Sequence, residues 1–72
     1  MTTEERLYHK VGLALAEARL ALNMTQAKLA QKVRMSRSSV ANIESGRQRL
    51  SLHQLFILAK ALKVAVTAIL PP

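Results

Sequence analysis

The chain has 72 residues, half of them hydrophobic, and its eleven Lys and Arg outweigh four Glu to leave a net charge of +7. That length limits it to one domain, spanning 1–72, and the apolar fraction is too high for a disordered segment. With no Cys there is no disulfide scaffold, no thiol nucleophile and none of the usual structural zinc sites.

No apolar run approaches the ~18 residues of a membrane span. The start, Met1-Thr2-Thr3-Glu4-Glu5-Arg6, carries acid where a secretory signal needs base, and Glu17 interrupts the apolar stretch behind it. The expectation is a small cytoplasmic domain. Its positive charge fits a polyanionic partner, nucleic acid above all, better than solubility alone.

Helical spacing of Leu7, Val11, Ala14, Leu15, Ala18 and Leu22 predicts a first helix from about Glu4 to Leu22, with residues 1–13 as an N-terminal helical extension. Asn23 suits the left-handed position that ends a helix. Thr25 is a candidate N-cap for a short second helix, Gln26 to Val33, whose Leu29, Ala30 and Val33 face inward. Only Arg34 and Met35 then precede the next cap, Ser36, so a third helix occupies about 36–45 and Gly46 stops it.

At about 100° per residue from Arg37, Val40 and Ile43 mark the buried side of this third helix, while Ser38, Ala41 and Asn42 fall opposite. The basic loop Arg47-Gln48-Arg49 follows. Ser51 with Gln54 forms a capping box that opens a fourth helix carrying Leu52, Leu55, Ala59 and Leu62. Val64, Val66, Ile69 and Leu70 suggest a last short helix before Pro71 and Pro72. The predicted fold is all-α with five helices.

Two short capped helices joined by two or three residues must cross steeply, and Ala30 supplies the small side chain that such a crossing needs. Residues 25–45 therefore read as a helix-turn-helix, whose second helix enters the DNA major groove N-terminus first. On its polar side Arg37, Ser38 and Asn42 are candidates for base contacts, because Arg can pair bidentately with guanine and Asn with adenine. Gln26 and Ser36 stand at helix N-termini, where amides and dipole favour a phosphate, although plain capping would also place them there. Ser39 lies to the side as a further phosphate donor, and Arg47 and Arg49 read as phosphate clamps.

From Met24-Thr25-Gln26, Leu29-Ala30 and Met35-Ser36-Arg37-Ser38-Ser39-Val40, through Asn42-Ile43-Glu44-Ser45-Gly46-Arg47 and Ser51-Leu52, to Leu55, Leu58-Ala59, Ala61-Leu62 and Val64, the chain resembles the Cro and phage-repressor type (XRE-like) helix-turn-helix regulators. The resemblance covers about Leu15 to Leu70. It implies a compact repressor-like domain and an ion pair, Arg19 with Glu44, joining the first and third helices. Members usually carry Gly where this chain has Arg34 and Lys63, and often where it has Asn23.

The function expected is sequence-specific binding of double-stranded DNA in transcription regulation, by a homodimer on a pseudo-palindromic operator. Val66, Ile69 and Leu70, on a helix too short to bury them all, are the candidate dimer interface. The alternative is an antitoxin-type protein that binds a partner toxin and its own promoter, with Leu7, Tyr8 and Val11 as partner surface; co-purification of a stoichiometric second protein separates the two. His9 and His53 read as surface residues. Without Cys, Asp or a clustered acid–base pair, no enzyme activity, metal site or cofactor is expected. A lone Tyr8 and Phe56 give no stacking platform for RNA.

Overall fold

Four residues with Oγ side chains, Thr2, Thr25, Ser36 and Ser51, decide where the first four helices begin. The computed structural model describes residues 1–72 as α1 (Thr3–Ala21), α2 (Gln26–Val33), α3 (Arg37–Glu44), α4 (Leu52–Ala61) and α5 (Val66–Ile69), with no strand. Each of those hydroxyls accepts a hydrogen bond from the amide three residues on, which satisfies one of the donors a helix leaves orphaned at its start. Ser36 caps from outside, so α3 begins at Arg37. The first helix starts a residue earlier than its apolar spacing predicts because Thr2 and Glu5 close a capping box, as Ser51 and Gln54 do for α4.

The helix ends share one device. Asn23, Arg34, Gly46 and Lys63 all have φ between 54° and 79°. The amide after each of them reaches back five residues, Met24 to Arg19, Met35 to Ala30, Arg47 to Asn42 and Val64 to Ala59. This is the Schellman closure of a helix, and it turns the chain sharply into the next element. Three of the four left-handed positions carry a side chain, each at a cost of about 1 kcal/mol relative to Gly.

The core is built from Val11, Leu15, Leu29, Ala30, Val33, Val40, Ile43, Leu55, Leu58, Leu62 and Ile69. Around it α2 packs on α3 and α4, α1 packs on α3 and α5, and α5 also lies against α4. Helices α1 and α3 approach backbone to backbone at Gly12 in the middle of α1. A Cβ there would stand 2.3 Å from the Ile43 carbonyl oxygen and 2.5 Å from that of Glu44. Glycine at this position lets α1 lie directly on the end of α3.

Several apolar residues expected to face inward do not. Leu7, Leu22 and Leu52 are exposed, Leu52 at 70%. Leu22 caps the end of α1 and Leu52 is the first residue of α4, so each lies at a helix terminus. Periodicity sets the phase of an apolar stripe and says nothing of how far the neighbouring helix extends along it. The buried stripe of α4 is Leu55, Leu58, Ala59 and Leu62. On α5, Ile69 is 3% exposed and belongs to the chain's own core, so it is not available to a dimer interface; Val66 is half-buried and Leu70 is 43% exposed.

Candidate nucleic-acid interface

The third helix is held from behind. Val40 and Ile43 are buried, while Arg37 and Ser38 are exposed and Asn42 is half-exposed, the division its periodicity predicts. Behind it Arg19 and Glu44, both 9% exposed, form the ion pair implied by the family resemblance. Arg19 Nε donates to Glu44 Oε2 at 2.8 Å and Nη2 donates to Oε1 at 3.0 Å, a bidentate fork, while Nη1 donates to the Met24 carbonyl at 2.7 Å. One guanidinium thus ties together α1, the turn before α2 and the end of α3. No buried side-chain polar atom lacks a hydrogen-bond partner.

Gln26 connects this pair to the exposed face. Its Nε2 donates to Glu44 Oε1 at 2.9 Å and its Oε1 accepts from Arg37 Nη1 at 3.0 Å. A carboxylate can only accept and a guanidinium only donate, so one amide orientation satisfies both. The sequence reading puts Gln26 on a phosphate; the structure instead commits both ends of its amide to neighbouring side chains. Arg37 is thereby held at the front of α3 by a chain of contacts running Arg19, Glu44, Gln26, Arg37.

The remaining site residues divide into free and engaged groups. Ser38, Asn42 and Arg47 make no side-chain hydrogen bond or ion pair within the chain. Ser36 Oγ accepts from the Ser39 amide at 3.0 Å, which leaves its hydroxyl proton free to donate outward. Ser39 is half-buried. Arg49, expected on phosphate beside Arg47, is turned to α1: it pairs with Glu4 and its guanidinium carbon lies 5.7 Å from the centre of the Tyr8 ring, within cation–π range. The N-terminal extension therefore docks on the α3–α4 loop, and His9 lies against Gly46 there.

The acids leave the front of α3 bare. Glu4 pairs with Arg49, Glu5 closes the α1 cap, Glu17 is exposed on α1, and Glu44 is buried on Arg19. An exposed face offering Arg37, Ser38 and Asn42, flanked by Arg47 and with no opposing acid, can present donors to base edges and to phosphate oxygens.

Sequence reasoning missed three participants: Gly12, the Thr2 cap and the linking role of Gln26. The first two left signals. Thr2-Thr3-Glu4-Glu5 has the T-x-x-E spacing of a capping box, and a glycine inside a helical pattern asks for a packing reason. The Gln26 link left none, because it depends on how α2 and α3 cross.

A helix-turn-helix family model matches residues 15–69. The chain belongs to the Cro and phage-repressor type helix-turn-helix family. Among solved structures it is similar to the restriction-modification controller protein C.AhdI from Aeromonas hydrophila, with 32% identity over 86% of this chain and 94% of that one and a TM-score of 0.82. It is also similar to the clp gene regulator ClgR from C. glutamicum, at 28% identity over 88% and 82% of the two chains with a TM-score of 0.84. The hypothetical transcription factor NHTF from Neisseria matches the whole of this chain and 83% of its own, at 25% identity and a TM-score of 0.87. No curated protein sequence matches. No helix is long and apolar enough to cross a membrane.

Proposed function

We propose that this helix-turn-helix protein is a transcriptional regulator that binds double-stranded DNA sequence-specifically, as a homodimer on a pseudo-palindromic operator, and that it catalyses no reaction. The observation that carries the reading is the exposed polar face of α3, whose Arg37 is steadied by Gln26 and, through Glu44, by a buried ion pair. Recognition needs side chains already in place when the groove arrives, and this network supplies that order for Arg37. Arg37, Ser38 and Asn42 read bases; Arg47, Ser36 and Ser39 contact phosphate.

One recognition helix reads too few base pairs for useful specificity, so two copies must act together, with half-sites about 34 Å apart. Leu70 and Val66 are the apolar groups of α5 left for that contact once Ile69 has entered the core. Controllers and gene regulators among the similar structures support the same reading.

Selection of bound sites from a random DNA pool, read by sequencing, tests it. The expected result is an inverted repeat with one helical turn between half-sites. Arg37→Ala and Asn42→Ala should each relax preference at one position and cost roughly 1–3 kcal/mol on the selected site. No enriched motif, or equal weakening on random and selected DNA, would overturn the assignment.

A further inference from the structure

Between α2, α4 and the turns that end them lies an open cleft of about 660 Å³, lined by no residue of α3. Its rim carries Lys32, Arg34, His53, Lys60 and Lys63 over an apolar floor that includes Ile57. No acid lines it, and none of its Lys or Arg is in an ion pair. All four Glu of the chain lie on α1 and α3. Four like charges gathered in one concavity repel one another, and nothing in the chain relieves them.

Two of these cations occupy positions that a packing argument would give to glycine. Arg34 has φ 56° and Lys63 has φ 60°, both in the left-handed region, and both line the cleft. Their left-handed backbone belongs to the Schellman stops of α2 and α4, and those two stops bring two cationic residues to one cleft.

We propose that this cleft binds a small polyanion built of linked phosphate groups, at a site separate from the DNA-reading face. A single phosphate carries at most about two negative charges at neutral pH, which leaves half of Lys32, Arg34, Lys60 and Lys63 unmatched. A chain of phosphates matches all four. The guanidinium of Arg34 can fork onto one phosphate while the lysines act as point charges on the others. The cleft has no Phe, Tyr or Trp, and the His53 imidazole is its one flat ring, so recognition rests chiefly on the phosphates.

The proposal does not depend on the DNA reading. Its test is titration of the isotopically labelled full chain with inorganic tripolyphosphate, followed by amide shifts, with monophosphate and a nucleoside triphosphate as parallel arms at constant ionic strength. Saturable shifts should centre on Val33, Arg34, Ala61 and Lys63, with monophosphate binding at least tenfold more weakly. Tripolyphosphate and the nucleoside triphosphate binding equally would support recognition by phosphate alone; tighter nucleotide binding would support the same site with the apolar floor taking part. The double variant Lys60→Gln/Lys63→Gln should weaken tripolyphosphate binding about tenfold, whereas Arg37→Gln/Arg47→Gln should leave it unchanged. Shifts centred on Arg37 to Arg47, equal loss in both double variants, or no saturable shift would overturn it. So would saturable binding of an acidic peptide in the cleft with none of tripolyphosphate. Dispersed amide spectra of each variant show that it has folded.

Discussion

Glu44 accepts hydrogen bonds from two helices at once, two from Arg19 on α1 and one from Gln26 on α2. Removing it strands a buried guanidinium, which costs about 3 kcal/mol. Glu44→Ala should lower the thermal midpoint by more than 10 °C, at the roughly 4–8 °C per kcal/mol of a domain this size. Glu17→Ala is the control, since Glu17 is exposed and unpaired whereas Glu4 holds Arg49. Equal midpoints in thermal melts would count against the network. At the other end of α1, hydrogen bonds with the Thr2 backbone and then its side chain hold the Glu5 carboxyl below its ordinary pKa. A depressed carboxyl stabilises the fold above its unfolded range and loses that contribution as pH falls through the folded value. Carbon-detected titration should therefore find the Glu5 midpoint rising in Thr2→Ala, and amide exchange in the first turn of α1 quickening under acid.

Helices bring these residues together only because two of them touch backbone to backbone. In an exposed helix, Gly→Ala stabilises by roughly 0.5–1 kcal/mol. At Gly12 the added methyl would meet two carbonyl oxygens of α3 at 2.3 and 2.5 Å, and neither belongs to a side chain that can rotate away. Overpacking of this kind costs typically 1–3 kcal/mol and wins over propensity. Gly12→Ala should thus be destabilised in denaturant titration, with the Arg19–Glu44 geometry disturbed as α1 lifts. The sequence carries the order of the elements, their caps and the inward face of α3, because these are local: a hydroxyl three residues before an amide, or a 3.6-residue period. Of the four left-handed stops it carries Asn23 and Gly46 by residue type, whereas Arg34 and Lys63 stand out only through the family resemblance. It does not carry Gln26 as the link between Glu44 and Arg37, nor Arg49 turned onto Glu4 and Tyr8, since both depend on where one helix lies over another. Ile69 teaches the same lesson in reverse. A short terminal helix can place one residue wholly in the core and still leave its neighbour Leu70 outside.

For the whole molecule, the proposed function assigns base reading to α3 and phosphate contact to the loop that follows it. Arg47 is free in the α3–α4 loop, so Arg47→Ala should weaken selected and random DNA alike and flatten the slope of log affinity against log salt by about 0.9. Arg49→Ala should change that slope less and stability more, because its partner is an acid on α1. Measuring both slopes by salt titration, beside both melting midpoints, distinguishes a loop that grips DNA from one that grips its own first helix. The Arg19 guanidinium adds a mechanical consequence. By fastening α1, the Met24 turn and α3 to one another, it restrains α3 from swinging relative to the rest of the domain. If two such domains share one operator as proposed, they act as stiff gauges, and any misfit with the duplex is absorbed by the DNA. Base steps that bend or twist cheaply would then matter at positions no side chain reaches, and the spacer between half-sites would carry sequence information of its own.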